Sequence, residues 1–354
     1  TTQLSAGTNV VLQANNDITV SNAITASNGS GDGGNLTLQA GRSVLINANI
    51  TTDNGDLILT ANDTTANGVV DAQRDSGAAV ITLASGTTVN TGTGSFTATL
   101  RAGTGKTNLA SGDITLSSVT AGSLVVANSG PTSGSDILDI GVLTIAGTSS
   151  FTTSADNATI WLDESTNAFT GAVSLNTTGS SGHAKIDGGT QALIIAQSSV
   201  GGQLHLRSGH ASGITDSGTV TVGSWFTATT DDNNGVINLD QLAVSSGSDI
   251  YFTTHGTGNA TGVNASTFHF GANNSGMTVG GNLSVTSTTG DITDGWGNAT
   301  HTVAGTTALT TSANNRTITL DNTNNAFTGA VALNTTGSSG YAMIDNGTTA
   351  LILA

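Results

Sequence analysis

The densest group of charged residues in the chain is Asp71, Arg74 and Asp75, in the segment VVDAQRDSG. Two carboxylates this close together can bind Ca²⁺ or serve as the acid and base of glycoside cleavage. The same residues can also form an ion pair inside one turn, with no role in catalysis or metal binding. The sequence favours that turn ion pair, so we predict no enzyme activity, no catalytic residue, no metal site and no cofactor.

Trp161 and Trp225 are the residues that we predict to bind a ligand, by stacking against a sugar ring. Trp161 lies between Ile160 and Leu162, and the alternation of a strand turns its indole outward. Trp225 is the second candidate of this kind. A single exposed apolar side chain is also common on protein surfaces and needs no ligand, so that alternative stays open.

Three other chemical patterns are weak. Asp139, Asp216 and Asp294 recur at nearly equal intervals along the chain, which suits acceptance of local backbone N–H groups in turns. The segment GTGKT at 103–107 ends like a phosphate-binding loop, but it lacks the first glycine, so we predict a turn. Paired metal-ligand spacing is absent from the histidines, which are His183, His205, His210, His255, His269 and His301.

These residues must be positioned by a repeating scaffold. Residues 147–196 return as residues 305–354, at an offset of 158, and two similar half-units lie inside each such interval. Residues 1–130 use shorter modules, which begin TNVVLQA, GNLTLQA, GDLILTA and SFTATLRA. We therefore predict one continuous rod whose repeat style changes between 1–130 and 131–354. The second copy stops at Ala354, inside the pattern of the first, so we expect the natural polypeptide to continue.

The modules predict an all-β parallel β-helix (β-solenoid) with about 20–26 residues per coil. Apolar residues alternate with polar ones, as Leu36 and Leu38 do around Thr37, and glycine and asparagine supply turns between short strands. About 17 coils spaced about 4.8 Å apart would make a rod about 80 Å long. With only 4% aromatic residues, we expect almost no large aromatic core.

The charge balance excludes two classes of partner. The chain has 23 acidic and 7 basic residues, a net charge of −16, whereas nucleic acids and anionic membranes are bound through lysine and arginine. The longest apolar runs are also far too short to span a bilayer. We predict no nucleic-acid partner and no membrane insertion.

The modules of residues 7–83, together with the segments VGGNLSVTSTTGDITD and NAFTGAV, carry a resemblance to a known family. They resemble the repeat regions of large secreted exoproteins of the filamentous haemagglutinin type, which Gram-negative bacteria export by two-partner secretion. The resemblance implies a right-handed, three-faced β-helix at the cell surface that serves as an adhesin or matrix fibre. It also implies an outer-membrane transporter as partner during export. The secretion domains of that family carry Asn-Pro motifs, whereas Pro131 here follows a glycine, so the segment resembles the shaft.

The sequence thus predicts a non-enzymatic structural or adhesive shaft of an extracellular bacterial protein or fibre. Its partners would be glycans or proteins of host or neighbouring cells, or other copies of itself. One alternative is a filament subunit that assembles through unpaired strand edges. A second is a carbohydrate-binding or polysaccharide-cleaving β-helix, which would gather Asp71, Asp75 or the tryptophans in a groove.

Overall fold

The computed structural model describes residues 1–271, 276–295 and 299–354 of the chain. It is all-β, and its parallel strands are stacked as a β-solenoid of about 14 turns. The helical elements of the described residues are the short helix α1 (Thr2–Ser5) and 3₁₀ turns at Thr65–Asn67 and Asp71–Gln73. None of these helices could cross a membrane.

The chain forms two compact units, Thr1–Asp187 (unit 1) and Gly188–Ala354 (unit 2). This division follows spatial contacts, whereas the predicted boundary at residue 130 follows the style of the sequence modules and stays a prediction.

The coils of unit 1 contribute strands to three parallel sheets. The first sheet contains β1 (Val10–Ala14), β4 (Leu36–Ala40), β7 (Leu57–Ala61), β10 (Ser95–Leu100), β13 (Ser123–Asn128), β16 (Ser149–Asp156) and β19 (Val173–Thr178). The second contains β2 (Ile18–Val20), β5 (Val44–Ile46), β8 (Ala79–Leu83), β11 (Ser111–Leu116), β14 (Ile137–Asp139), β17 (Ile160–Leu162) and β20 (Ala184–Asp187). The third contains β3 (Ile24–Thr25), β6 (Ile50–Thr51), β9 (Thr88–Asn90), β12 (Ser118–Ala121), β15 (Leu143–Ile145) and β18 (Ala168–Phe169).

Unit 2 also consists of stacked parallel strands, but its described strands fall into two sets of pairings, whereas unit 1 has three sheets. One set contains β21 (Leu193–Ile195), β22 (Ser198–Val200), β24 (Ile214–Asp216), β25 (Val220–Val222), β27 (Ile237–Val244), β29 (Ala260–Asn264), β32 (Leu283–Ser287), β35 (Thr307–Asn314), β38 (Ala330–Thr336) and β40 (Ile352–Leu353). The other contains β23 (Leu204–Ser208), β26 (Phe226–Thr230), β28 (Asp249–Thr253), β30 (Phe268–Phe270), β31 (Thr278–Val279), β33 (Ile292–Asp294), β34 (Thr302–Val303), β36 (Thr317–Leu320), β37 (Ala326–Phe327) and β39 (Tyr341–Ile344).

The core of each unit lies inside the coils, where apolar side chains stack on apolar side chains of the next coil. In unit 1, Leu36 pairs with Leu57, and Leu57 pairs with Phe96. All three side chains are fully buried, while the intervening strand residues face outward. The period-two alternation therefore produces the burial that the sequence predicts, and the predicted parallel β-helix is confirmed.

The predicted coil length holds in most of the chain, with two longer coils in unit 1. Strands β4 and β7 begin at Leu36 and Leu57, one ordinary coil apart, whereas β10 begins only at Ser95. The longer coils carry two insertions, residues 62–78 and residues 101–110, which lie between strands. Ordinary coils are also near the upper end of the predicted length, since β16 and β19 begin 24 residues apart, at Ser149 and Val173. With these coils and the two longer ones, the chain forms about 14 turns instead of the 17 expected.

The expectation of almost no large aromatic core is wrong. All eight phenylalanines of the chain are fully buried. In unit 2, Phe226, Phe252, Phe268 and Phe270 form a continuous series of edge-to-face contacts, with ring centroids 5.5–6.4 Å apart. Gly262 makes room for it, since a Cβ atom there would lie 2.7 Å from the Phe252 ring.

One tight turn occurs in both copies of the long repeat. Asn157 and Asn315, which occupy the same position of the two copies, have φ angles of 66° and 62°, in the left-handed region that asparagine tolerates better than most residues. The Oδ1 atom of Asn157 accepts the Ser181 backbone N–H at 2.8 Å, and Oδ1 of Asn315 accepts that of Ser339 at 3.0 Å. Each asparagine thereby ties its turn to the following coil.

We expect Asn157→Ala to lower the free energy of unfolding by about 1 to 2 kcal/mol, because alanine strains the left-handed backbone and leaves the Ser181 N–H without its acceptor. Urea unfolding followed by circular dichroism measures this change. Asn157→Gly is the matched control, since glycine also lacks the hydrogen-bond acceptor but adopts the left-handed backbone without strain. It should lower the free energy of unfolding by less than Asn157→Ala does. Equal losses in the two variants would contradict the strain argument.

Candidate functional site

The outward face of the long repeat carries different side chains in its two copies. In unit 1, Trp161 on β17 pairs with Lys185 on β20. In unit 2, the residues at the same offset of 158 are Thr319 on β36 and Met343 on β39, which also pair with each other. The same scaffold therefore presents an indole and an ammonium group in one place, and a hydroxyl and a thioether in the other.

In unit 1 these side chains form a closed polar cluster with Asp163. The indole Nε1 of Trp161 donates to Oδ2 of Asp163 at 3.0 Å, and Nζ of Lys185 donates to the same oxygen at 2.8 Å. Nζ also lies 5.5 Å from the centre of the indole ring, a cation–π distance. The hydrogen bond from Lys185 is the main reason that the pKa of Asp163 lies below its usual value. Trp161 points outward, as predicted, and is 38% exposed.

In unit 2 the equivalent of Asp163 is Asp321, and it has neither donor. Among the described residues, no lysine, arginine or histidine nitrogen lies within 4 Å of its carboxylate. A groove of about 510 Å³ opens beside it. The side chains that line this groove include His269, Thr293, Asp294, Thr319, Asp321 and Asn322.

The floor of the groove is fixed by Asp294. This buried carboxylate accepts the backbone N–H of Asp321 at 3.1 Å, that of Asn322 at 3.0 Å and the side-chain amide of Asn325 at 3.0 Å. All three donors lie further along the chain, on the next coil. The predicted role in local turn capping is therefore wrong, because the carboxylate joins successive coils.

Asp139 and Asp216 do the same in their own units. Asp139 accepts the backbone N–H of Asp163 at 3.1 Å and the amide of Asn167 at 2.7 Å, and burial raises the pKa of Asp139 to about 6. Asp216 accepts the backbone N–H of Gln241 at 2.9 Å, and burial again raises its pKa. The recurring aspartates thus share one function, which is to bind N–H groups between coils.

Two histidines lie near this region of unit 2. His269 lines the groove, and its Nε2 atom lies 4.0 Å from a carboxylate oxygen of Asp249. His301 is fully buried, and its Nδ1 atom accepts the backbone N–H of Met277 at 3.0 Å. Within the described residues, no group of three or more histidine, aspartate or glutamate side chains is close enough together to hold a metal ion.

Trp225, the second predicted ligand residue, is 42% exposed and precedes the buried Phe226. Its carbonyl oxygen accepts the backbone N–H of Leu204 at 3.0 Å, which is a ladder contact. Trp225 belongs to unit 2 and Trp161 to unit 1. The structure therefore places the two predicted residues in separate units, and sugar binding by either of them stays a prediction.

The ion pair predicted within the turn of Asp71, Arg74 and Asp75 is wrong. The guanidinium group of Arg74 donates to the carbonyl oxygens of Gly41 at 3.2 Å, Asp75 at 3.1 Å and Gly77 at 3.3 Å. The carboxylate of Asp71 accepts the backbone N–H of Thr107 at 2.9 Å, from the other insertion. These residues therefore hold the two insertions of unit 1 to the coils and to each other.

Lys106, in the segment GTGKT, lies at the centre of the two insertions. It is 6% exposed, and its Nζ atom donates to the carbonyl oxygen of Gly41 at 2.7 Å and to Oδ1 of Asn62 at 2.8 Å. Burial lowers the pKa of Lys106 to about 8. The predicted turn is present, and its lysine binds protein oxygens in place of a phosphate.

Sequence reasoning missed the groove around Asp321. The signal was available, since the replacements of Lys185 by Met343 and of Trp161 by Thr319 are visible when the copies are aligned. Those differences argued only against a repeated active site. Their second consequence, a carboxylate without its two donors, required the positions of the side chains on neighbouring coils.

We expect Lys185→Met, which introduces the residue of the second copy, to raise the pKa of Asp163. The variant removes the hydrogen bond and the charge that now favour the ionised carboxylate. A carbon-13 NMR titration of the carboxyl groups measures this pKa. An unchanged titration of Asp163 would contradict the cluster. Because both side chains are more than a third exposed, stability should change by less than about 1 kcal/mol.

Comparisons with known proteins give one match. Residues 104–176 and 257–334 match a family model described as repeats of unknown function (DUF5649). The two segments end at the same point of the long repeat, and together they cover less than half of the chain. No curated protein and no solved structure matches the chain. The match supports a repeat protein, and the resemblance to filamentous haemagglutinin stays a prediction.

Proposed function

We propose that this chain is a structural segment of an extracellular bacterial surface protein or fibre, without enzymatic activity of its own. The observation that carries the proposal is the stacking of like residues, such as Leu36 on Leu57, from coil to coil. A coil of this kind stabilises its neighbours and is stabilised by them, so that the length of the protein can grow by repetition. Such growth suits a shaft that holds other segments away from a cell.

Three further observations support this proposal. The coils are joined by recurring aspartates, and the two insertions of unit 1 are tied down by charged hydrogen bonds. The net charge of −16 favours a solvated surface. The resemblance of the modules to filamentous haemagglutinin repeats adds export by two-partner secretion and an adhesive role. Partners would then be glycans or proteins of other cells.

A first experiment concerns location. An antibody raised against this chain should label intact cells of the source organism as strongly as permeabilised cells. An outer-membrane protein and a cytoplasmic protein, each with its own antibody, serve as controls. Labelling that requires permeabilisation would overturn the extracellular part of the proposal.

A second experiment separates the shaft from the self-assembling filament. A shaft segment should sediment as one species of constant size when the purified chain is studied over a wide range of concentrations by analytical ultracentrifugation. A filament subunit should form larger species as the concentration rises, through the exposed apolar residues of its terminal strands, such as Leu353, which is 67% exposed.

A further inference from the structure

We propose that the groove of unit 2 binds an amino sugar, whose ammonium group contacts the carboxylate of Asp321. This inference rests on the adhesive part of the proposed function and names the chemical class of a ligand for it. Its argument comes from the internal repeat, which shows the same carboxylate position both occupied and open.

The first copy shows which groups this position accepts. Asp163 binds the ammonium group of Lys185 at 2.8 Å and the indole N–H of Trp161 at 3.0 Å, both from within the chain. In the second copy those donors are replaced by Met343 and Thr319, neither of which carries an N–H group on its side chain. The carboxylate is retained as Asp321, so its preference for an ammonium partner is retained as well.

The charges around the groove favour a cation from outside. Asp294 and Asp321 both line it, and in the described part of the chain no cationic nitrogen lies within 4 Å of either carboxylate. Asp294 is 7% exposed and already accepts three hydrogen bonds from the next coil. Asp321 is therefore the carboxylate that can accept a ligand.

The rest of the lining favours a sugar over a peptide or a lipid. Thr293, Thr319 and Thr323 contribute hydroxyl groups beside the carboxylates. Hydroxyl groups both donate and accept hydrogen bonds, as the hydroxyls of a sugar do. A lysine side chain of a peptide could bind the Asp321 carboxylate through its ammonium group, but it would place its apolar methylene chain against the threonine hydroxyls. The volume of about 510 Å³ is within the usual range for small-molecule sites.

The experiment is an isothermal titration calorimetry measurement, in which a trimer of glucosamine is added to the whole chain. The N-acetylated trimer has the same backbone and no ammonium group, so it is the matched control ligand. We expect the glucosamine trimer to bind with a dissociation constant near about 1 mM, and the acetylated trimer at least about tenfold more weakly. Added salt should weaken binding of the glucosamine trimer. Equal affinity for both trimers, or no binding of either, would overturn the inference.

Matched variants in the two copies locate the site. Asp321→Asn should weaken binding of the glucosamine trimer by about tenfold, because the amide carries no charge. Asp163→Asn makes the same change in the first copy and should leave binding unchanged. Thermal unfolding of each variant verifies that it folds. Equal effects of the two substitutions, or none from Asp321→Asn, would show that the trimer binds elsewhere.

A refilled groove gives an independent test. The double variant Thr319→Trp and Met343→Lys restores the donors of the first copy and should abolish binding of the glucosamine trimer. Unchanged binding would contradict the proposed site.

A comparison with trilysine tests the class of ligand. Trilysine should bind more weakly than the glucosamine trimer, and tighter binding of trilysine would show that the groove prefers a cationic peptide to an amino sugar. Negative results in these binding experiments would not contradict the proposed shaft function, because the sedimentation and cell-labelling experiments do not depend on the groove.

Discussion

Replacement of Phe252 by alanine is expected to lower the free energy of unfolding by about 3 to 5 kcal/mol. Phe252 is fully buried, and its ring contacts Phe226 and Phe268 edge to face, with centroids 6.4 and 5.8 Å away. Its removal leaves a cavity in the middle of the aromatic series of unit 2. Urea unfolding followed by circular dichroism measures the loss.

Trp225→Ala is the control for this substitution, because it removes a larger aromatic side chain from the surface. Trp225 is 42% exposed, so the free energy of unfolding should change by less than about 0.5 kcal/mol. A loss below about 1 kcal/mol for Phe252→Ala would contradict a close-packed aromatic core. Similar losses for both variants would also do so, since burial is the property that separates them.

Lowering the pH from 7 to 4 is expected to destabilise unit 2 through His301, by up to about 3 kcal/mol. His301 is fully buried, and its pKa is lowered to about 4, first by burial and then by the neighbouring His269, against a smaller opposing effect of Asp249. In the unfolded chain the pKa returns to 6.5. The unfolded chain therefore binds more protons between these values, and stability is lost as the pH falls through them.

The variant His301→Asn isolates this effect from every other titrating group. Its Oδ1 atom can replace Nδ1 as acceptor for the Met277 N–H, while the side chain does not titrate. The free energy of unfolding of each protein is measured at pH 7 and at pH 4. The fall between the two pH values should be smaller in the variant by about 3 kcal/mol. An equal fall in both proteins would show that His301 does not carry the pH dependence.

Asp139, in unit 1, contributes a pH dependence opposite to that of His301. Its pKa of about 6 lies above the ordinary value of 3.8, so burial disfavours the ionised form in the folded state. Protonation between these values is therefore expected to stabilise the fold as the pH falls. Mild acid should therefore act in opposite directions through His301 and Asp139, and the pKa of Asp216 in unit 2 is raised in the same direction as that of Asp139.

The two copies of the long repeat illustrate how a solenoid can diversify without a change of fold. Inward residues such as Leu162 and Leu320 are retained, because each must pack on the next coil. Outward residues such as Trp161 and Thr319 lie at the surface and do not pack in the core of the coils. Substitution of an outward residue has little effect on stability. One copy can therefore acquire new surface side chains, while in the other copy the aspartate keeps its bonds to Lys185 and Trp161.

Much of the architecture was determined by the sequence alone. Period-two alternation established which residues face inward, including the outward position of Trp161, and the return of residues 147–196 as 305–354 established that two parts of the chain repeat. Both signals are local or depend on direct comparison of the sequence with itself. They are sufficient for a parallel β-helix because burial alternates in the same way along many of the strands, such as β4 and β10.

Only the tertiary structure decided which side chains meet. Trp161 meets Lys185 through the ladder register of β17 and β20, and Asp71 meets Thr107 because the two insertions contact each other. The aromatic series of unit 2, the buried Lys106 and the groove at Asp321 depend in the same way on the register between coils. Alternation specifies which face a residue lies on, but neighbours across a ladder are set by coil length, which insertions change without any signal in the strands themselves.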